Sequence, residues 1–542
     1  MYKRKGQKVV PQDVGYEKEE MPAGDANWRQ KRIEKEVYRQ GRYDNYLIPK
    51  FSSIPRGERL RPRRIAKMNF GEGLWPVEKK LLLEMLFNRE AAIAFDSSEK
   101  GRIHDDIEPP HSIPTVPHTA WQEPSFRIPA ALQEVSIRLI QDRLDCGTIE
   151  RSFGPYRNPW FLVPKKGYEK DEEGNQVLDR AGKPIQRHRL INCAQKINAV
   201  TICDASLPPA ADDFSERFAG YPLISLLDLF SGYDQCSPAR ESRDITAFHT
   251  PLGLMRMTTL PQGYTNAVQA FDRIIRKVLH YPLVRGICEP SIDDIGVRPP
   301  ARSRYVDAST GEPEPSPIPG VRRYVLESIQ ATDLVMTEIE RAGATISGYQ
   351  STFAADGLKV VAFVCDGEGR HPDQEKVRKI VEWPPCTSIT EAKAFIGICV
   401  YYRICIPRFT HVADPIFATF RKTYTKGKRR QEEFIWGEKQ QQAMEELKSA
   451  LISPPALRPI VYVPEGDEGI GRIVLGVDAS LVGYGAILQQ EDERGKRHPA
   501  RYESGLWTET ERRYDAGKLE CRALLRSIKK FRNYLYGVHF LV

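Results

Sequence analysis

Two adjacent acids inside an apolar, β-branched segment, Ser291-Ile292-Asp293-Asp294-Ile295-Gly296-Val297, most limit how this chain can fold. Neighbouring carboxylates repel each other and are costly to strip of water. Side chains alternate across a strand, so the two acids cannot face the same way unless a turn intervenes. The segment therefore predicts a tight hairpin, with Asp293 facing a site squarely and Asp294 approaching from the turn. A second apolar strand also ends in an acid: Leu226-Leu227-Asp228-Leu229-Phe230-Ser231-Gly232-Tyr233. A divalent cation removes the cost of grouping such carboxylates, because Mg²⁺ takes hard oxygen ligands from one or two acids plus substrate phosphates. Asp228, Asp293 and Asp294 then form a two-metal cluster for phosphoryl transfer. A bare Asp-Asp pair is more often a solvated turn, and for the pair taken alone that reading stays open. Between the two segments runs Leu260-Pro261-Gln262-Gly263-Tyr264-Thr265-Asn266-Ala267, leading into a helix with Val268, Phe271, Ile274, Ile275 and Val278. Gly263 permits close backbone approach, and Gln262 can hydrogen-bond a base or a sugar.

The chain has 542 residues, enough for about three or four domains. At 41% hydrophobic and 28% charged it has globular composition. The net charge of +8 suits a partner made of phosphates, although a basic soluble protein would show the same excess. Met-Tyr-Lys-Arg-Lys-Gly is followed by no apolar core, and no run approaches 18 apolar residues. An intracellular protein with no membrane segment is expected, either cytoplasmic in a virus-like particle or nuclear. The 10 cysteines are scattered without Cys-x-x-Cys, which argues against zinc or a disulfide framework.

Four regions are expected. Residues 1–104 form a basic, partly ordered stretch, loose to about Lys67 and helical near Val77–Glu90. Residues 105–372 begin extended and proline-punctuated, then carry an amphipathic helix from Ile128 that stops at Gly147. A strand at Pro159–Val163, a polar hairpin tip over Gly167–Gln186 and a strand at His188–Cys193 follow. Strands and helices mix without strict alternation, which makes the class α+β. A proline-rich interruption spans 298–319, then come a helix at Tyr324–Arg341 and a hairpin around Asp356-Gly357. Residues 373–459 are mainly helical, and 470–542 restart as a strand at Arg472–Val477.

Taken together, Tyr156–Val163, Leu227–Gln235, Leu260–Asn266, Ile292-Asp293-Asp294 and Tyr401-Tyr402-Arg403 resemble the polymerase of gypsy-type long-terminal-repeat retrotransposons, most closely its fungal members. The resemblance runs over nearly the whole chain and rests on an ordered set of motifs. It implies a right-hand polymerase with fingers, palm and thumb, acting as an RNA-directed DNA polymerase with two Mg²⁺ ions, for which Mn²⁺ can substitute. Its partners would be an RNA or DNA template-primer, deoxynucleoside triphosphates and other parts of the same polyprotein. Matched positions imply Asp228, Asp293 and Asp294 as metal ligands and Tyr233 as the steric gate against a 2′-hydroxyl. They imply Gln262 and Gly263 as contacts to template and nucleotide, and Lys165 and Arg189 as finger residues on the triphosphate, where Arg can fork onto phosphate oxygens. Ser291 stands where the family prefers a bulky residue, and Tyr264 where it prefers a small one. These departures motivate an alternative: an inactive relic that folds and binds nucleic acid.

The last stretch resembles the RNase H domain that follows such polymerases. Ile473–Ser480 is a strand ending in Asp478, and a helix from about Ala516 carries Glu520 at the border of its apolar stripe. The resemblance implies Asp478 and Glu520 as its first two metal ligands. The third acid would follow the strand at Gly537–Val542, so an incomplete RNase H-like α/β domain without nuclease activity is expected. The region 373–459 resembles thumb and tether, and the basic run Lys426-Gly427-Lys428-Arg429-Arg430 is either a backbone-tracking patch or a solvated loop.

Overall fold

The structure, a computed structural model, describes residues 57–168, 176–178, 182–307, 309–420, 424–425, 428–429, 434–462, 471–492 and 494–542. Most of the basic N-terminal arm, part of the 167–186 hairpin tip, and Lys426, Gly427 and Arg430 of the 426–430 basic run lie outside these residues. Where the loose stretch is described it is packed: Leu60 is buried, and Arg64 bonds Glu99 at 2.7 Å. Two compact units emerge. The first takes in the described residues up to Pro209 with Ser225–Pro300 and Pro315–Ala354; the second takes in Ala210–Ile224, Ala301–Glu314 and Ala355–Val542.

In the first unit, strand β1 (Asn69–Phe70) is followed by helix α1 (Pro76–Asn88) and helix α2 (Gln133–Asp145). Strands β2 (Ile149–Arg151), β3 (Trp160–Tyr168), β4 (Gln186–Asn192), β5 (Ile224–Asp228), β6 (Phe248–Thr250) and β7 (Gly253–Met257) come next. Helix α3 (Ala267–Val278), strands β8 (Cys288–Ser291) and β9 (Asp294–Val297), helix α4 (Arg323–Arg341) and strand β10 (Thr352–Ala355) complete it. The main sheet has the order β1-β10-β5-β9-β8. Its back face rests on α4, where Ser225 meets Thr332 at 3.3 Å beside buried Leu227, Ile295 and Val297. Helix α4 is buried on most of its surface, with Val325, Ile329, Val335 and Met336 in the core and Ser328, Thr332, Asp333 and Glu338 buried as well. Its start is anchored by fully buried Glu78, which accepts bonds from Arg322 Nε at 2.8 Å and Trp75 N at 2.8 Å. A β3–β4 hairpin and a three-stranded sheet, β2-β7-β6, share a second core of Ile140, Trp160, Leu190, Phe248 and Met255.

The second unit opens with a short helix, Ala211–Glu216, and a three-stranded sheet of β11 (Gly357–Val360), β12 (Phe363–Asp366) and β13 (Gly369–Pro372). The hairpin expected around Asp356-Gly357 does not form: β10 pairs within the main sheet while β11 pairs with β12. A Gly after an Asp is a sound turn signal, but here the turn hands the chain from one sheet to another. Helices α5 (Gln374–Val381), α6 (Ile389–Tyr401), α7 (Phe409–Ala418) and α8 (Glu438–Ile452) pack with this sheet around Phe363, Phe395, Tyr402 and Leu447. Strands β14 (Ile473–Ala479), β15 (Gly483–Glu491), β16 (Arg497–Leu506) and β17 (Phe540–Leu541) form a sheet of order β16-β15-β14-β17, covered by helix α9 (Ala516–Lys530). Within this sheet β14 and β17 pair in parallel, and β17 is reached through α9.

A buried ion cluster joins these parts of the second unit. Arg370, almost wholly inaccessible, bonds Asp212 at 2.7 Å and Glu216 at 3.4 Å. Arg501 from β16 joins Asp212 as well, and the Tyr534 hydroxyl donates to Glu216 at 2.8 Å. Replacing Arg370 by alanine removes the buried guanidinium from a cluster whose carboxylates keep Arg501 and the Tyr534 hydroxyl as partners. We expect a loss of about 2–3 kcal/mol in urea unfolding of this unit; a loss below about 1 kcal/mol would show that the remaining partners and water compensate.

Candidate active site

The hairpin at the paired acids forms, but its turn lies one residue earlier than the sequence suggests. Asp294 pairs with Ser291, leaving Ile292 and Asp293 as the two-residue loop. Asp293 therefore sits in the turn, and Asp294 is the first strand residue. Ile292 holds φ at 58°, a left-handed value that a β-branched side chain adopts only under strain. The strand β9 then lies antiparallel to β5 with Asp294 directly opposite Asp228. Directly paired residues share a sheet face, so Ser291, Asp294 and Asp228 form a row on the front. The neighbours Leu227 and Ile295 point into the core behind.

Like charges directly opposite destabilise a strand pair. Burial, then Asp294, then Asp293 push the Asp228 carboxyl up to about 6. Burial and Asp294 push Asp293 up to about 6 as well, and burial raises Asp294. Asp293 Oδ1 is buried and accepts no hydrogen bond among the described residues. Among those residues, no three His, Cys, Asp or Glu side chains close into a metal-binding set as they stand. The three acids are neighbours with spare acceptor capacity, and that donor set fits hard divalent cations.

After Asp228 the chain crosses Ser231, left-handed at φ 49°, into a 3₁₀ turn over Gly232–Gln235. A Cβ on Gly232 would lie 2.9 Å from Asp293 Oδ1 and 2.6 Å from the Phe271 ring, so only glycine lets the turn pass this close. Tyr233 stacks on Phe271 of α3, with centroids 4.7 Å apart and planes at 20°. Burial and Asp293 push its hydroxyl up to about 12, so Tyr233 stands beside the acids as a neutral ring. Phe271 is legible in the sequence as core, but its part as the platform under Tyr233 is not.

Gln262 and Gly263 are exposed on the loop before α3, with Gly263 at φ 87°. Asn198 clasps this loop, donating to Gly263 O at 2.9 Å and accepting from Thr265 N at 2.8 Å. Nothing in the local sequence marks Asn198. Tyr264 is buried, its ring 6.2 Å from that of His111, so its bulk is taken up beneath the loop. Lys165 and Arg189 come together on the β3–β4 hairpin, where Arg189 faces Val163. Burial, then Arg189, Arg187 and Arg143, lower the Lys165 ammonium, the mark of a crowd of cations.

In the second unit, β14 presents Val477 and Ala479 toward α9 and Asp478 to the other face. Asp478 lines a cavity of about 260 Å³ with Arg408, His411 and Glu446. Glu520 is exposed on α9. Among the described residues neither acid belongs to a set of three metal-ligating side chains.

Comparison with known proteins accords with this geometry. A family model for the RNase H-like domain found in reverse transcriptase matches residues 436–542. The Drosophila melanogaster Pol polyprotein from transposon 297 is 26% identical over 86% of this chain and 38% of its own length. The gypsy polyprotein of the same fly is 26% identical over 73% and 34%, and the fission-yeast Tf2-3 polyprotein 24% over 76% and 27%. The chain thus spans well under half the length of these relatives. A foamy viral protease-reverse transcriptase solved with double-stranded DNA superposes with a TM-score of 0.69 at 18% identity, covering 90% of this chain and 89% of that one. The fold is a right-hand polymerase with an RNase H-like domain. The chain's homologues are the Pol polyproteins of gypsy-type retrotransposons.

The raised carboxyls imply a stability signature in the metal-free protein. The folded state holds protons that the unfolded state releases near its ordinary value of 3.8, so stability falls as pH rises from there through about 6. Asp293→Asn removes one repelling charge. We expect it to stabilise metal-free protein at about pH 8 by about 1–3 kcal/mol, a gain that vanishes near about pH 4. Thermal melts at the two pH values decide it; destabilisation at the higher pH would show that repulsion does not govern the site.

Proposed function

We propose that this chain is an RNA-directed DNA polymerase that adds deoxynucleotides to a primer 3′-hydroxyl. The observation that carries it is the row of acids on the sheet face, with Asp228 opposite Asp294 and, beside them, an oxygen of Asp293 that receives no hydrogen bond among the described residues. Asp228, Asp293 and Asp294 would hold two divalent ions, Mg²⁺ or Mn²⁺, which would supply charge compensation to the attacking hydroxyl and the leaving pyrophosphate. The acids, held to strand and turn, present their oxygens from one side, so the reacting groups meet them from the open face. Tyr233, braced by Phe271, bounds the sugar site and rejects a 2′-hydroxyl by bulk. Gln262 and Gly263 meet the template and base from a loop that Asn198 keeps rigid. Lys165 and Arg189 grip the triphosphate, whose charge relieves their mutual repulsion.

The solved foamy viral relatives hold double-stranded DNA in one case and an RNA/DNA hybrid in another. We assign the same partners to this chain, supported by the basic finger hairpin and net charge of +8. No described helix is long and apolar enough to cross a membrane.

Primer extension on an RNA template, with Mg²⁺ or Mn²⁺, tests the reading. Asp293→Asn should lower the rate by at least about 100-fold while leaving primer–template binding intact. Folded protein that binds primer–template but extends nothing would mark an inactive relic. Tyr233→Val should relax discrimination against ribonucleotides by about tenfold or more; unchanged discrimination would remove Tyr233 from the sugar site.

A further inference from the structure

Tyr233 stands in a short turn with few bonds of its own. The 3₁₀ turn covers four residues, and Ser231 before it is left-handed. Phe271 steadies the ring from one side, but a ring on a loose backbone moves with that backbone. What fastens the backbone is Gln235, the last residue of the turn, which is only 1% exposed.

Its side-chain amide uses both ends. Nε2 donates to Phe230 O at 2.8 Å and to Thr345 O at 2.8 Å, while Oε1 accepts from Thr345 N at 2.8 Å. Phe230 N donates to Thr345 O at 3.0 Å, and Gln235 O accepts from Ile103 N at 2.9 Å. Gln235 thus ties the loop that leaves β5 to the segment after α4, and closes the Tyr233 turn upon itself. Two carbonyls need a donor and one N–H needs an acceptor, and a carboxamide offers both. A carboxylate would aim an acceptor at two carbonyls, and an apolar side chain would strip Phe230 O and Thr345 N of this partner. The turn so fixed is also a wall of the site. A Cβ on Gly232 would lie 2.9 Å from Asp293 Oδ1, so any shift of the turn changes the space between ring and acids.

We propose that Gln235 is a positioning residue for sugar selection, holding the Tyr233 ring at a fixed distance from the acid row. This rests on the polymerase reading above and deepens its account of the sugar site. Gln235 touches no substrate and acts through the turn. Its effect therefore falls on the choice between deoxy- and ribonucleotides rather than on both alike.

The test uses the full chain: wild type, Gln235→Met, Gln235→Glu, Tyr233→Val and the double variant Gln235→Met with Tyr233→Val. Primer extension with deoxy- and ribonucleotides reads the ratio of the two kcat/KM values. Gln235→Met should relax that ratio by about fivefold, the worth of one hydrogen bond. Gln235→Glu, equal in size, should relax it as well. On top of Tyr233→Val, Gln235→Met should leave the ratio unchanged, because the ring it positions is gone. A glutamine that only supports the fold would lower both kcat/KM values together; an unmoved ratio therefore overturns the proposal. So does a further relaxation in the double variant.

Amide hydrogen exchange reads the same strut without turnover. The Thr345 N–H and those of residues 232–236 should exchange about tenfold faster or more in Gln235→Met. Unchanged exchange overturns the proposal. If neither Gln235 variant folds, the wild type decides: a protected Thr345 N–H supports the strut, and an unprotected one overturns it. A folded wild type that extends nothing, with turn exchange that needs Gln235, would sink the polymerase reading and spare the positioning of Tyr233. Extension with a ratio indifferent to Gln235 would do the reverse.

Discussion

The juxtaposition of Asp228 and Asp294 across β5 and β9 is the constraint around which the first unit is arranged. Two carboxylates on facing strands gain nothing from each other, and the sheet tolerates them only because the rest of it is secured from behind. Leu227, Ile295 and Val297 bury against α4, and α4 is itself anchored through Arg322 to Glu78 of α1. The back face thus supplies the stability that the front face spends. The left-handed Ile292 belongs to the same bargain: a relaxed turn would need glycine or asparagine there, and the isoleucine is held by the strands on either side.

Much of this was legible in the sequence. The apolar strands ending in acids, the helix after Gln262-Gly263 and the long core helix from Arg323 all appear where hydrophobic period and turn residues place them. The turn at the acid pair did not, because alternation alone cannot say which of two adjacent acids occupies the loop. Only the register of Asp294 with Ser291 and Asp228 decides that, and register is a long-range property. The same holds at Asp356-Gly357, where local chemistry marks a turn but cannot say which strands pair.

The two departures from the family pattern are absorbed differently. Tyr264 turns inward and is buried near His111, so the loop bearing Gln262 and Gly263 keeps its surface. Ser291 stays on the front face, level with Asp294, where a small hydroxyl leaves more room and more water beside the acids. Of the two, Ser291 is the one that bears on how dry the carboxylates are. Dryness is what lifts Asp228 and Asp293 to about 6, so a bulkier residue there would raise the repulsion and the demand for cations together.

The residues that sequence reading missed share a physical character. Phe271 and Asn198 act through partners far away in the chain: Phe271 braces Tyr233, and Asn198 clasps Gly263. Neither carries a local pattern that separates it from core or loop chemistry, because what each one touches is settled only when distant segments fold together.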